Sequence, residues 1–392
     1  MGSRLANLRT SLVFFLASVF VLPLLWGFSA SSQAAVSYPL TFTDLAGREV
    51  TIEKAPERII VAQYIVNYMM VGGAGSLSKV VGMTFDGWQD TRLGEYAVFT
   101  QSFPKLKEIP SIGGYHDSVL DAEKIIALKP DLVLIDNSQF TANDQRVQVF
   151  ENSGIKVVVL DYHSMKIETH CKSTQILGDL LGREEVAKRQ IDTYTKAIEE
   201  LHSKLKTVEG QRPQPRVYVE LGNKGVNENG NSYNNKVLWG AIVSSLGGDN
   251  LAKNMEQPYA PLDNEFILAS DPQIIFVGGS IWSGSEGDQM RMGFTVDEKT
   301  ALERLKGFAK RPAWAHLTAV KDGQIYAVDH GSLRNMGDYV FSQFIAKVMY
   351  PDLFPNLRPE ENINSYFKDY LPELKYTGVF MLGPLGTQAI SN

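Results

Sequence analysis

The sequence predicts an α/β protein of two similar lobes with mostly parallel sheets, joined by one long helix. Three observations carry that expectation. The chain repeats itself: Asp121 to Ile135 aligns without a gap with Asp263 to Val277, and Asp121/Asp263, Glu123/Glu265, Ala127/Ala269 and Pro130/Pro272 fall at the same offsets. Each copy reads as a short helix stopped by proline and running into a buried strand. Proline cannot continue a helix and pushes the residue before it out of the α region, and four apolar residues in a row suit a parallel strand covered on both faces. Between the copies, Thr174 to Val208 carries Ile176, Leu177, Leu180, Tyr194, Ile198 and Leu201 at helical spacing, with charges between them.

Composition agrees with this reading. A chain of 392 residues suits two lobes rather than one small domain. Hydrophobic residues make up 44% and charged residues 21%, enough for a sizeable core and unlike a disordered chain. The net charge of −6 comes without a basic run, which argues against nucleic acid as a partner. One cysteine, Cys171, excludes an intramolecular disulfide and any multi-cysteine metal site, and it reads as a small core residue.

The elements follow in order. Arg4 and Arg9, the apolar stretch Leu12 to Phe28 and the small residues up to Ala35 read as a cleavable Sec signal peptide over residues 1–34. An uncleaved anchor is the competing reading, but the stretch is short for a span and Pro23 and Gly27 interrupt it. Cleavage removes two arginines and no acids, leaving a charge of −8 on an exported, periplasmic chain. No cysteine follows the apolar run to take a lipid.

The N-terminal lobe, 35–170, opens with a hairpin at 40–53 turning at Gly47. Strands are expected near 58–63, 79–83, 131–135 and 156–161, and helices near 65–75, 121–129 and 142–153. The connecting helix takes 171–210, with a break at Gly182. The C-terminal lobe, 211–392, ends in an extension. Its strands are expected near 216–221, 273–277, 318–320 and 324–328. Its helices fall near 236–246, 263–270, 300–306, 338–350 and 360–370, and 278–299 reads as a long Gly- and Ser-rich loop. Pro56 to Val61 echoes Gln214 to Val219, so each lobe opens on a matched strand.

The segments TFTDLAGREVTIEKAPERIIV (41–61), VVGMT (80–84), SIGGY (111–115) and DAEKIIALKPDLVLID (121–136) resemble periplasmic binding proteins of ABC importers for ferric siderophores, haem and cobalamin. So do SLGGDN (245–250) and PAWAHLTAVKDGQIYAV (312–328), and the likeness runs over most of residues 41–350. It implies two Rossmann-like lobes joined by one long helix. It also implies a metal-chelate ligand, an ABC importer permease dimer as partner, and one docking acid per lobe at Glu123 and Glu265. The chain departs from the pattern in a longer 278–311 segment and in the tail beyond residue 350.

In open α/β sheets, ligands meet the loops beyond the carboxyl ends of the strands. In the first lobe those loops hold Gln63, Tyr64, Asp86, Trp88, Tyr115 and His116, then Asn137, Ser138 and Gln139, then Tyr162 and His163. In the second they hold Asn223, Trp282, Arg291, His330 and Arg334. Aromatic and cationic groups recurring at one kind of position suit a large, flat, anionic ligand, because rings stack and arginines pair with carboxylates or catecholates.

The expected ligand is therefore a metal chelate, foremost a ferric siderophore. Haem, cobalamin or a nickel or cobalt chelate are the rivals. No resident cofactor or protein metal site is expected, since the six histidines show no His-x-x-His spacing. Met290, Met292 and Met336 read as gap-fillers. Enzyme signatures such as Gly-x-Ser-x-Gly or a P-loop are absent from the sequence. A binding protein, monomeric, is thus expected over an exported metal-dependent hydrolase using His116 and His163.

Overall fold

The computed structural model describes residues 37–62, 64–114, 119–142, 144–284 and 287–386. The signal-peptide reading at 1–34 and the candidates Gln63, Tyr115 and His116 lie outside the described residues.

Two parallel sheets organise the chain from Val36 onward. In the first, the strands Val80–Met83, Ile59–Ala62, Leu132–Asp136 and Lys156–Leu160 lie side by side in that order, all parallel. In the second, Ile325–Asp329, Ile274–Gly279, Arg216–Leu221 and Asp249–Asn250 are parallel, and Met381–Leu382 adds an antiparallel edge. The central strands are buried along their whole length, which is why they read as unbroken apolar runs rather than alternating ones. The entry hairpin pairs Leu40–Thr43 with Glu49–Ile52, and Gly47 takes the left-handed φ of 78° its turn requires.

The repeat is structural. In each lobe a short helix, Ala122–Ala127 or Asn264–Ser270, begins on an aspartate N-cap. Asp121 accepts from the Lys124 amide at 3.0 Å and Asp263 from the Glu265 amide at 2.7 Å. Each helix ends on a non-glycine residue with positive φ just before the proline, Lys129 at 48° and Asp271 at 44°. Such a residue costs about 1–2 kcal/mol, and both lobes offset it alike. Arg58 Nε donates to the Lys129 carbonyl at 2.9 Å, and Arg216 Nε donates to the Asp271 carbonyl at 3.0 Å. Matched side chains then receive the arginines' own amides: Asp131 accepts from Arg58 N at 3.1 Å, and Gln273 from Arg216 N at 3.0 Å.

The connection consists of two helices, Ile167–Leu181 and Glu184–Lys206, broken where Gly182 takes a left-handed φ of 62°. The longer one buries Val186, Tyr194, Ile198 and Leu201, as its spacing predicts. Cys171 is half-buried, with its sulfur 3.7 Å from Thr195 Oγ1, so it belongs to the margin of the helix packing rather than the core.

Two expectations are corrected. Thr318–Lys321 is one helical turn, not a strand: Asp271 accepts from the Thr318 amide and hydroxyl, both at 2.7 Å, and caps it. Residues 84–110, assigned no element from sequence, contain the helix Leu93–Ser102. Its apolar residues are interrupted by Gly94, Glu95 and Thr100, all buried, so no amphipathic stripe announces it. The stretch 278–299 is mostly loop, with a two-residue strand, Gly293–Phe294, pairing with Gly378–Val379 of the extension.

Candidate functional site

The carboxyl ends of the strands in both lobes converge on one aromatic and cationic cluster. Tyr64 follows the strand Ile59–Ala62, and its ring carries the Arg92 guanidinium 4.3 Å from its centroid and that of Arg334 at 5.6 Å. His163, beyond Lys156–Leu160, stacks on the same ring at 6.2 Å with an interplanar angle of 22°. Arg92 and His163 come from the first lobe and Arg334 from the second, so the cluster sits where the lobes meet.

Both histidines there are neutral. Burial, with Arg334 and Arg92 nearby, lowers the His163 pKa to about 3. The same causes push His330 well below its usual 6.5. The indole N–H of Trp239 donates to His330 Nδ1 at 3.0 Å. A neutral ring that accepts at Nδ1 carries its proton on Nε2. That atom faces Arg334 Nη2 at 3.2 Å. Guanidinium and imidazole thus meet edge to edge, a donor-rich spot that favours an anionic oxygen over a cation.

Sequence reasoning missed Arg92. It is 8% exposed and sits on the turn before Leu93–Ser102, where nothing distinguishes it from a surface arginine. It pairs with Glu95 at 3.3 Å, and Glu95 also accepts from Trp88 Nε1 at 2.8 Å. Across the lobe boundary lies Asp329, whose pKa is raised to about 7, first by burial and also by the Glu95 charge. Burial raises Glu95 as well. Arg92, Glu95 and Asp329 line one small cavity together with Ser280 and Gly331. The cluster thus reaches from the ring of Tyr64 to a pair of buried carboxylates.

The other expected site residues divide. Trp88 is buried and lines the cavity that Tyr64 and Arg92 also line. Tyr162 does not reach the cleft: it is 2% exposed and its hydroxyl pairs with Thr174 Oγ1 at 2.9 Å, so the apolar run before it carries it into the core. Trp282 and Arg291 are partly exposed in the loop after Ile274–Gly279 and are not among the residues lining the Tyr64 cavity. Gln139 is buried, and Ser138 is tied to Asp136 at 2.6 Å. Met290, Met292 and Met336 are buried in the apolar cores. Among the described residues no three His, Cys, Asp or Glu side chains group as metal ligands.

The lobes touch beside the cleft through the turn before Leu93–Ser102. Leu93 N donates to the Ile281 carbonyl at 3.0 Å and Ser283 N to the Asp90 carbonyl at 2.7 Å. Ser280 Oγ donates to the Thr91 carbonyl at 2.6 Å. Asn67 Nδ2 also donates across the lobes to the Arg334 carbonyl at 3.0 Å. The cavity beneath Tyr64, lined only by first-lobe residues, measures about 20 Å³, room for roughly one water.

Glu123 and Glu265 are both exposed, in the first turn of their helices. Each helix leads into a parallel strand, so its N-terminus lies at that strand's carboxyl end, the edge of the sheet that faces the cleft.

Comparison with known proteins agrees with this architecture. A family model described as "Periplasmic binding protein" matches residues 91–330. The crystal structure of a TroA-like periplasmic binding protein, FepB, from Veillonella parvula superposes with a TM-score of 0.80 at 30% identity, covering 88% of this chain and 99% of that one. An uncharacterized ABC transporter substrate-binding lipoprotein, YvrC, of Bacillus subtilis is 23% identical over 83% of this chain and 90% of its own length. A cobalamin-binding protein of Halobacterium salinarum is 25% identical over 64% of this chain and 62% of its own.

Proposed function

We propose that this chain, which belongs to the periplasmic binding protein family, captures an anionic metal chelate between its lobes and delivers it to the permease dimer of an ABC importer. A ferric siderophore is the foremost ligand. The observation that carries this reading is the Tyr64 ring with the Arg92 and Arg334 guanidiniums over it and His163 stacked upon it. Two buried cations and a donor on His330 favour a multiply charged oxygen ligand, and the aromatic surface favours a ligand with flat faces. Burial of the arginines strengthens that attraction, because few waters screen it. Haem, cobalamin and nickel or cobalt chelates share parts of this chemistry and are the alternatives.

Signal-directed export would place the chain in the periplasm. No helix among the described residues is long and apolar enough to cross a membrane. The chain acts as a binding protein rather than a hydrolase in this reading, its neutral histidines orienting a ligand and not activating water. Glu123 and Glu265 form a two-point dock, one acid per lobe, for arginines of the permease. Rim charges of that kind set association rate and register.

The test is quenching of intrinsic tryptophan fluorescence, with Trp88 in the cleft as reporter, by a panel of ferric siderophores, haem, cobalamin and free metal ions. Saturable quenching by an anionic chelate, lost in Arg92→Met, supports the reading. Quenching by free Fe³⁺ or Zn²⁺ alone, accompanied by ester turnover, would replace it with the hydrolase.

A further inference from the structure

Large apolar side chains exposed to water are few in the described residues, and they are not scattered. Tyr259 is 58% exposed, Phe266 46%, Leu268 40%, Val119 47% and Val149 46%. Phe266 and Leu268 flank Glu265 on the helix Asn264–Ser270, and Tyr259 lies on the strand Tyr259–Pro261 that leads to it. Val119 lies two residues before the Asp121 cap of the matched helix, and Val149 on the helix packed beside that one. Every one of the five therefore sits on or next to the two elements that present Glu123 and Glu265.

Burial of the rest of each helix shows that these side chains are not displaced core. Ile267 and Ile125, the inward residues, are fully buried, so the helices are seated correctly. Clustered exposure of this kind marks a surface that another protein covers. The charge on the C-terminal patch has one sign: Glu256, Asp263 and Glu265 lie between Asn254 and Ser270, and no Lys or Arg does. The complement is an apolar groove rimmed by basic residues. The two patches are also unequal. The first lobe offers two valines, and Lys124 stands beside Glu123; the second offers an aromatic, a Phe and a Leu in an acidic setting.

We propose that the importer's permease grips the two lobes unequally. The C-terminal patch of Tyr259, Phe266 and Leu268 around Glu265 would supply the adhesive contact, and the Glu123 side mainly register. This rests on the docking role of the two acids proposed above, and it adds which lobe holds and by what chemistry. Large apolar side chains at the centre of a contact slow dissociation, whereas rim charges change association.

The experiment measures binding of the permease–ATPase complex, reconstituted in nanodiscs, to the immobilised full-length mature chain. Three variants are compared with wild type: Tyr259→Ser/Phe266→Ser/Leu268→Ser, Val119→Ser/Val149→Ser, and Glu123→Ala/Glu265→Ala. The triple variant is expected to dissociate at least tenfold faster, with association, melting temperature and chelate affinity unchanged. The valine variant is expected to change dissociation less than threefold. Wild-type dissociation from the triple variant overturns the inference, as does an equal loss from the valine variant. Wild-type binding by the double acid variant instead sinks the docking role itself, whatever the triple variant does. A wild-type dimer in sedimentation that the triple variant abolishes assigns the patch to a second copy of the chain and overturns the permease assignment.

Discussion

Arg92 is contested by two partners of different kinds. On one side its guanidinium covers the Tyr64 ring, and on the other it pairs with buried Glu95. An anionic ligand at the ring competes with Glu95 for the same charge, so Arg92→Lys, which keeps the charge but loses the planar fork, should weaken chelate binding by about 1–3 kcal/mol. Titration calorimetry reads this directly, and affinity within twofold of wild type would remove Arg92 from the site. Asp329 behind it makes a separate prediction about pH. Its folded pKa of about 7 stands above the ordinary 3.8, so the folded state keeps a proton that the unfolded state has lost. Stability from this group is therefore full below about pH 4, falls as pH rises through the window, and stays low above about 7. The slope is up to about 1.4 kcal/mol per unit. Asp329→Asn cannot ionise and still accepts from Ser332, whose hydroxyl bonds Asp329 at 2.5 Å. Urea unfolding at pH 4.5 and 7.5 should show the variant gaining on wild type at the higher pH; parallel profiles would refute the assignment. Arg334 is buried too, and its guanidinium lies over the Tyr64 ring and against His330, so truncating it should cost stability as well as affinity.

The elements explain what a sequence can and cannot announce. The parallel strands were legible because both their faces are covered, and the matched helices because Asp–x–Glu and a proline punctuate them. The structure adds the reason for the echo at Arg58 and Arg216: each holds the strained turn that the proline imposes. Arg58→Ala and Arg216→Ala should each cost about 1–2 kcal/mol by denaturant unfolding, since a left-handed residue loses its carbonyl partner. A near-neutral effect at either would break the equivalence of the two turns. Leu93–Ser102 was illegible because both lobes cover it: Phe99 meets Phe294 edge-on at 5.9 Å, and a helix buried on several sides shows no stripe. Tyr162 was misread for the complementary reason. Adjacency to a buried strand marks core as readily as cleft, and only the Thr174 contact decides between them. In the C-terminal lobe, Arg311 clamps the loop after Arg216–Leu221 by a bidentate pair to buried Glu220 at 2.7 and 2.8 Å. No local pattern points from residue 311 to residue 220. Arg311→Met strands that carboxylate and should cost about 3–5 kcal/mol of stability.

At the scale of the molecule, the two lobes touch beside the candidate cleft. They meet at the bonds joining Asp90, Thr91 and Leu93 to Ser280, Ile281 and Ser283. The helices Ile167–Leu181 and Glu184–Lys206 connect the lobes, and a helical connection limits the swing to a modest one. Gly94 sets how closely the lobes approach. A Cβ built there lies 2.2 Å from the Phe294 carbonyl oxygen of the other lobe, a contact with backbone that no side-chain rotation relieves. Gly94→Val should therefore hold the lobes apart while leaving each sheet intact. Solution scattering is expected to show a larger radius of gyration without ligand, and circular dichroism an unchanged secondary structure. Chelate affinity should fall at least tenfold, because Arg92 and Arg334 no longer reach the same ligand. The spacing of Glu123 and Glu265 widens with the lobes, so permease docking should weaken in step even though both acids remain. A valine variant that binds chelate and permease like wild type would mean that the contact at Gly94 is incidental, and that closure is governed on the Asn67–Arg334 side of the cleft.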